Sequence, residues 1–351
     1  MNASVFTGAW QPELKNTKDR WMAKAGERTA CIITGSFRSD GTRSPLSPEE
    51  ETGAALRAGA DIVFRLPAIA VLSGAEVQAF ATLTLADRLG IVSDLAIPVN
   101  KLTREMLEEI AMFLFKEPLP YQKAIRKRMA EGIKYPEARA ASLEDYIPGA
   151  GDILRSPADS CAVELRLATL RRYSRVKLSL IHTTHGQGED APSEEDHSRD
   201  AALAKQISDF LKNHSDDELT KIIQSTPSFP WIAGETLWNC REEFLACGSL
   251  TEMSLMLESG KVTAEQVRRG LIMMLLGIRL ANVSIAGLDA FCPYIRVSGI
   301  TEDEEASKEW IHALFSADTC VILPDGKPLG DHLPDESCAH LAAFDLASDQ
   351  L

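Results

Sequence analysis

The sequence predicts an α/β fold, with a parallel sheet wound by helices in its first half and a mainly helical second half. Three observations lead there. Short β-rich runs before residue 182 alternate with helix-length segments, an order that pairs strands in parallel through right-handed crossovers. Beyond about residue 200 the apolar spacing turns helical. The 351 residues, 45% hydrophobic and 25% charged, are ordinary for a globular chain and sufficient for about two domains. The expected division is residues 1–200 and 201–351, the second part carrying a small C-terminal α/β segment.

The elements follow in order. ASVFT (Ala3–Thr7) is the first strand, and ACIIT (Ala30–Thr34) is a second, ended by Gly35. DIVFRLP (Asp61–Pro67) is a third, stopped by its proline. A helix over Ala75–Leu89 ends at Gly90, and SDLAIPV follows as a strand. Leu102, Met106, Ile110, Phe113 and Leu114 form one apolar stripe, so 102–115 is a helix, closed by Pro118 and Pro120. A helix over 160–172 leads to the strand VKLSLI (Val176–Ile181). His185–Asp200 is acidic and rich in turn formers, which predicts an exposed loop or linker. Val267, Leu271, Met274, Leu275 and Ile278 predict one helix over Ala264–Leu280, with its stripe in the core. DTCVILPDGKPLG reads as a strand and a turn.

Charge narrows the partners. A net charge of −14 opposes non-specific binding to nucleic acid, so no DNA partner is expected. Two local basic clusters remain: Lys123, Arg126, Lys127 and Arg128, with Lys134 and Arg139 nearby, and Arg171, Arg172, Arg175 and Lys177. Each either touches phosphate or is a solvated helix face. The most apolar stretch, Leu271–Leu280, is too short for a membrane span, and no secretion signal is recognisable, so the cytoplasm is the expected location. The seven cysteines are scattered without a Cys-x-x-Cys pair and read as buried thiols.

All seven histidines lie at or after His182. His182 and His185 flank two threonines just after a strand, but two ligands without a third do not make a metal site, and no metal is expected. No phosphate-binding Gly-x-x-x-x-Gly-Lys loop, dinucleotide fingerprint or nucleophile elbow occurs. GSFRSDG, following the second strand, stands at the carboxyl edge of a parallel sheet, where such folds bind ligands. There Gly35 would let backbone N–H groups approach a phosphate and Arg38 would neutralise it; the alternative is a plain turn.

The run ITGSFRSDGTRSPLSPEEETGAALRAGADIVFRLP resembles the bacterial tRNA(Met) cytidine acetate ligases, whose pattern there is M-S-G-N-F-x-Q-R-G-x-P, K-W-x-R, a helix, then G-A-D-x-V-I-E-L-P. SGAEVQAF (Ser73–Phe80), YPEAR (Tyr135–Arg139), SPADSCAVELRLATL (Ser156–Leu170), GKVTAEQVRRGLIMMLLGI (Gly260–Ile278), PYIRVSGI (Pro293–Ile300) and the closing FDLASDQL extend the likeness along most of the chain in order. The resemblance implies a Rossmann-like nucleotidyltransferase domain followed by a mainly helical domain. It also implies ATP-dependent activation of acetate as acetyl-adenylate, with transfer to the N4 amine of the tRNA wobble cytidine. ATP, with Mg2+ if ATP binds, would be the cofactor.

The family's functional positions are mostly changed. Its first strand ends in N-P-F-H-N-G-H, whereas this chain reads QPELKNTKDR from Gln11 and has no histidine before His182. The Q-R-G arginine falls on Asp40, and the K-W-x-R positions fall on Pro48, Glu49 and Glu51. Pro98 replaces a glycine, and the paired asparagines fall on Ala158 and Asp159. SRDAALAK replaces a serine/threonine motif, with Lys205 in place of its basic residue; SGKVT keeps Lys261 and Thr263 of K-R-Y-T. The expectation is a catalytically impaired member acting as a binding or regulatory protein, with tRNA or another protein as partner. The alternative is an active ligase in which His182 or His185 replaces the missing histidines and Lys15, Arg38 and Lys205 contact phosphate. Candidate nucleotide-binding residues are Gly35, Ser36, Arg38, Asp159 and Lys205; candidate RNA-binding residues are Lys123, Arg126, Lys127 and Arg128.

Overall fold

The computed structural model describes residues 3–7, 28–182, 194–227, 229, 231–259, 262–330 and 336–351. Its centre is a seven-stranded sheet. The strands are β1 (Ala3–Thr7), β2 (Arg28–Ile33), β3 (Ile62–Arg65), β4 (Val92–Val99), β5 (Lys177–His182), β6 (Tyr294–Ile300) and β7 (Cys320–Ile322). They lie in the order β5-β4-β1-β2-β3-β6-β7. The first five pair in parallel; β6 runs antiparallel to β3, and β7 parallel to β6.

Alternation within the strands places side chains in two cores. Ala30 and Ile32 of β2, Ile62 and Phe64 of β3, and Leu95 and Ile97 of β4 join the larger core. Their neighbours Cys31, Ile33, Val63 and Ala96 face the opposite layer with Ala55. Both faces are covered, so these strands are almost continuously apolar. Helices α1 (Pro48–Arg57), α2 (Ala68–Leu72), α3 (Ala75–Leu89), α4 (Arg104–Lys116), α5 (Leu119–Ala130), α6 (Tyr135–Glu144), α7 (Ala150–Arg155) and α8 (Pro157–Arg172) complete the first half.

Two sequence expectations change here. The acidic segment predicted as linker becomes helical from Glu194, where α9 (Glu194–Lys212) begins. Leu203, Ala204, Ile207 and Leu211 of α9 are buried, and that spacing carries the helix. Residues 183–193, including His185, lie outside the described residues. The helix expected over 264–280 stops at Leu276. After α10 (Asp216–Ser225), α11 (Trp231–Asn239), α12 (Arg241–Leu245) and α13 (Leu250–Met256), α14 (Ala264–Leu276) stops at Gly277, which is left-handed with φ 76°. α15 (Leu280–Leu288) then leaves at 94°. Gly277 reaches that conformation without a Cβ clash, and so ends α14 before the apolar stripe does.

The sheet also crosses the expected boundary at residue 200. β6, α16 (Glu304–Phe315) and β7 extend it beyond β3, and Trp310 of α16 packs edge-on to Phe64 with ring centres 5.8 Å apart. The helical body shares its core with the first half: Phe37, Ile69 and Leu72 pack with Leu203, Phe244 and Leu271, and with Phe344 of α17 (Glu336–Gln350). No single helix among the described residues is long and apolar enough to cross a membrane.

Candidate nucleotide site at the carboxyl edge of the sheet

The β2 loop begins at Gly35, in a left-handed conformation with φ 85°. A Cβ there would lie 2.5 Å from Arg65 Nε, so glycine is needed for the guanidinium at the end of β3 to pass. Arg65 is 3% exposed. Its Nη1 donates to Asp349 Oδ2 at 2.8 Å, its Nη2 donates to Asp349 Oδ1, and Nη2 also reaches Ser348 Oγ at 3.3 Å. Ser36 Oγ donates to the same carboxylate at 2.8 Å. Asp345, one turn earlier on α17, accepts from Tyr294 Oη at 2.8 Å and from the Ala68 backbone N–H at 2.7 Å, and lies 3.3 Å from Arg296. Arg43 Nη1 donates to the Leu351 carbonyl at 3.0 Å. Helix α17 therefore lies across the carboxyl ends of β2 and β3, with Asp349 on Arg65 of β3 and Ser36 after β2, and Asp345 beside Arg296 of β6.

Sequence reasoning missed this arrangement. Its one signal was Arg65, which stands where the acetate ligase pattern G-A-D-x-V-I-E-L-P has glutamate. The matching carboxylate lies 284 positions away, beyond the reach of local patterns. Burial pushes the Arg65 pKa down, but the hydrogen bond to Asp349 and the nearby Asp345, Asp349 and Tyr294 together outweigh it and hold the pKa above its ordinary value.

The acidic run Glu49–Glu51 has a local cause. Ser47 Oγ accepts from the Glu50 N–H and Glu50 Oε2 accepts from the Ser47 N–H, which is a capping box, with Pro48 opening α1. Carboxylates in a first helical turn also complement the helix dipole. Asp40, in place of the family arginine, accepts from the Thr42 N–H at 2.8 Å and its hydroxyl at 2.6 Å, closing a turn bracketed by the Phe37–Arg43 bridge.

The remaining candidates are dispersed. Asp159 is buried and accepts from the backbone N–H groups of Asn100, at 2.7 Å, and Lys101, at 3.2 Å, so its oxygens organise the loop after β4. Lys205 is exposed on α9, and His182 is exposed at the end of β5. Lys123, Arg126 and Lys127 are exposed on α5, with no ion pair among the described residues. Arg128 differs: it donates to Ser142 Oγ at 3.1 Å and Asp145 Oδ2 at 2.8 Å, binding α5 to α6. In the second basic cluster Arg171 pairs with Glu76, and Arg172 lies 3.5 Å from Asp87 and over the Phe80 ring. Arg175 and Lys177 are exposed. Among the described residues no three His, Cys, Asp or Glu side chains gather as a metal site.

A parallel sheet with a ligand edge and this element order matches known proteins. A profile described as HIGH Nucleotidyl Transferase covers residues 15–235. The chain belongs to the HIGH nucleotidyl transferase family. Curated relatives named tRNA(Met) cytidine acetate ligase bear out the sequence resemblance. That of Clostridium novyi is 23% identical over 205 residues, 58% of this chain and 50% of the relative. That of Acetivibrio thermocellus is 28% identical over 154 residues, 44% of this chain and 37% of the relative. The matches thus span half or less of these relatives. A crystal structure of Thermotoga maritima TmcAL bound with alpha-thio ATP superposes with a TM-score of 0.79 at 18% identity, covering 99% of this chain and 93% of that one. The apo form gives 0.76 at 17% identity, with the same coverage. The shared fold is that of a nucleotidyltransferase.

Proposed function

We propose that this chain is a catalytically impaired member of the tRNA(Met) cytidine acetate ligase group, retained as a binding or regulatory protein. The observation that carries the reading is the occupied β2–β3 edge. Arg65, Arg296 and Ser36, the polar groups nearest the expected phosphate loop, are engaged by Asp345 and Asp349 of α17. A triphosphate placed there would meet two carboxylates at close range, and like charges in a partly dry site repel by several kcal/mol. The absence of histidine from residues 1–181 supports the same reading, because the family's charge-stabilising histidines follow β1.

Purified protein assayed for acetate-dependent ATP–pyrophosphate exchange tests the proposal, with an active relative as control. No exchange above background is expected. Robust exchange would overturn it and favour the second reading, an active ligase using His182 or His185, in which ATP and Mg2+ would be bound and joint replacement of His182 and His185 by alanine would abolish the rate. The exposed Lys123, Arg126 and Lys127 on α5 favour tRNA as the partner; binding should weaken steeply with salt and with their replacement by glutamine.

A further inference from the structure

Helix α15 (Leu280–Leu288) is built inside out. Its sequence LANVSIAGL carries no charge, in a chain that is 25% charged. Asn282 and Ala286 are buried, and Asn282 Oδ1 accepts from the Arg279 N–H at 2.7 Å. Leu280, Ala281, Ser284, Ile285, Gly287 and Leu288 are exposed. At about 100° per residue these positions fall within one arc of about 160°, so they form a continuous face. Leu280 is 52%, Ile285 37% and Leu288 87% exposed. A surface helix ordinarily hides its leucines and shows its polar side chains. The reverse arrangement marks a docking face.

The face is also fixed in place. The Ala290 N–H donates to the Gly287 carbonyl at 3.1 Å, the Phe291 N–H to the Ala286 carbonyl at 2.8 Å, and the Cys292 N–H to the Asp289 carbonyl at 3.1 Å. Cys292 is fully buried, so the helix exit is tied to the core.

Charge at the two ends identifies the occupant. Arg279 precedes the helix and Asp289 follows it. Burial holds the Arg279 pKa below its ordinary value with no carboxylate acting against it, and its Nη1 donates to the Ile278 carbonyl at 3.2 Å. Asp289 Oδ1 lies 3.1 Å from Arg88, yet the Asp289 side chain stays 48% exposed and can accept from a second donor. Two such helices laid antiparallel about a twofold axis set Arg279 of each copy beside Asp289 of the other. The same register places Leu280 opposite Leu288 and Ala281 opposite Gly287, with Ser284 on the axis where the backbones approach. A parallel pair would oppose like charges. A lipid surface fits less well, because interfacial helices carry Lys and Arg on their polar face and this chain has a net charge of −14.

We propose that the exposed face of α15 binds a second copy of this chain, antiparallel about a twofold axis, with Leu280 against Leu288 and Arg279 paired to Asp289 of the other copy. The contact depends neither on the loss of catalysis nor on RNA binding. One short helix pair buries less than the roughly 800 Å² per partner of a stable interface, so the dimer is weak, with Kd on the order of 10–100 µM.

Sedimentation velocity at physiological salt, from about 5 to 300 µM protein, spans that range and tests the proposal. The weight-average sedimentation coefficient is expected to rise with concentration towards that of a dimer. Leu288→Lys, verified as folded by circular dichroism, should weaken association by at least about tenfold. Arg279→Glu and Asp289→Lys should each weaken it about three- to tenfold. An equimolar mixture of these two variants should associate like the wild type, because both ends of the mixed dimer then oppose unlike charges. A monomer across the whole range, association undiminished in Leu288→Lys, or a mixture no tighter than the single variants would overturn the proposal. Flotation with phosphatidylcholine vesicles in place of self-association would assign the face to lipid and overturn it as well.

Discussion

Replacing Asp349 with alanine should destabilise the protein more than replacing its partner Arg65 with methionine. Asp349 Oδ2 accepts from Arg65 Nη1 at 2.8 Å and Oδ1 from Ser36 Oγ at 2.8 Å. The Arg65 side chain is 4% exposed and that of Asp349 is 21% exposed. Asp349→Ala therefore strands a buried cation that water reaches poorly. Breaking a buried pair from one side costs about 3–5 kcal/mol, and the neighbouring Asp345 lowers the figure to about 3. Arg65→Met keeps the volume and leaves a carboxylate still bonded to Ser36 and partly wet, at a cost of about 1–2 kcal/mol. The double variant should resemble Arg65→Met, which gives a coupling energy of about 3 kcal/mol. Urea unfolding followed by tryptophan fluorescence, checked for a single transition by circular dichroism, measures all four proteins. In thermal melts about 3 kcal/mol corresponds to roughly 4 °C for a chain of this size. Equal, additive effects below about 0.5 kcal/mol would show that α17 is not held to the sheet edge by this pair.

Three further outcomes are expected. Gly35→Ala forces a left-handed alanine against Arg65 Nε, and should lower stability by about 2 kcal/mol or more in urea unfolding without any nucleotide present. Burial raises the thiol pKa of Cys161 to about 11 and of Cys292 to about 12, so both should resist a disulfide reagent at pH 8 in the native state and react once unfolded. The Lys134 hydrogen bond lowers the Glu258 pKa, joining the segment before α6 to the helical body. The pair's contribution is therefore present above the unfolded pKa of about 4.3 and lost as pH falls through the folded value. Both partners are part-exposed, so the gap between wild type and Lys134→Ala should stay under about 1 kcal/mol above pH ~5 and shrink below pH ~4 in unfolding measured across pH.

Local pattern was sufficient for the sheet's parallel half. β2, β3 and β4 are apolar on both faces, and helix-length segments ending in glycine or proline separate them, so each strand announces itself within a few residues. Pattern could not place helix ends set by a single conformation, as at Gly277, because Leu275 and Ile278 continue the stripe across the break. It also found α9 late, because the helix starts within acidic, turn-forming residues and its buried face shows only from Leu203.

By itself the sequence determined the strand–helix order, the absence of histidine before residue 182 and the reversal of charge at Asp40 and Glu51. Only the tertiary structure decided what those changes do. It placed Asp349 on Arg65, turned Glu50 into a cap, set Asp159 on the backbone after β4 and laid Gly41 on α14. Periodicity records whether a side chain is buried, through contacts a few residues apart. It carries no information about which distant charge that side chain meets, and at the edge of this sheet the distant partner of Arg65 is Asp349, 284 positions away.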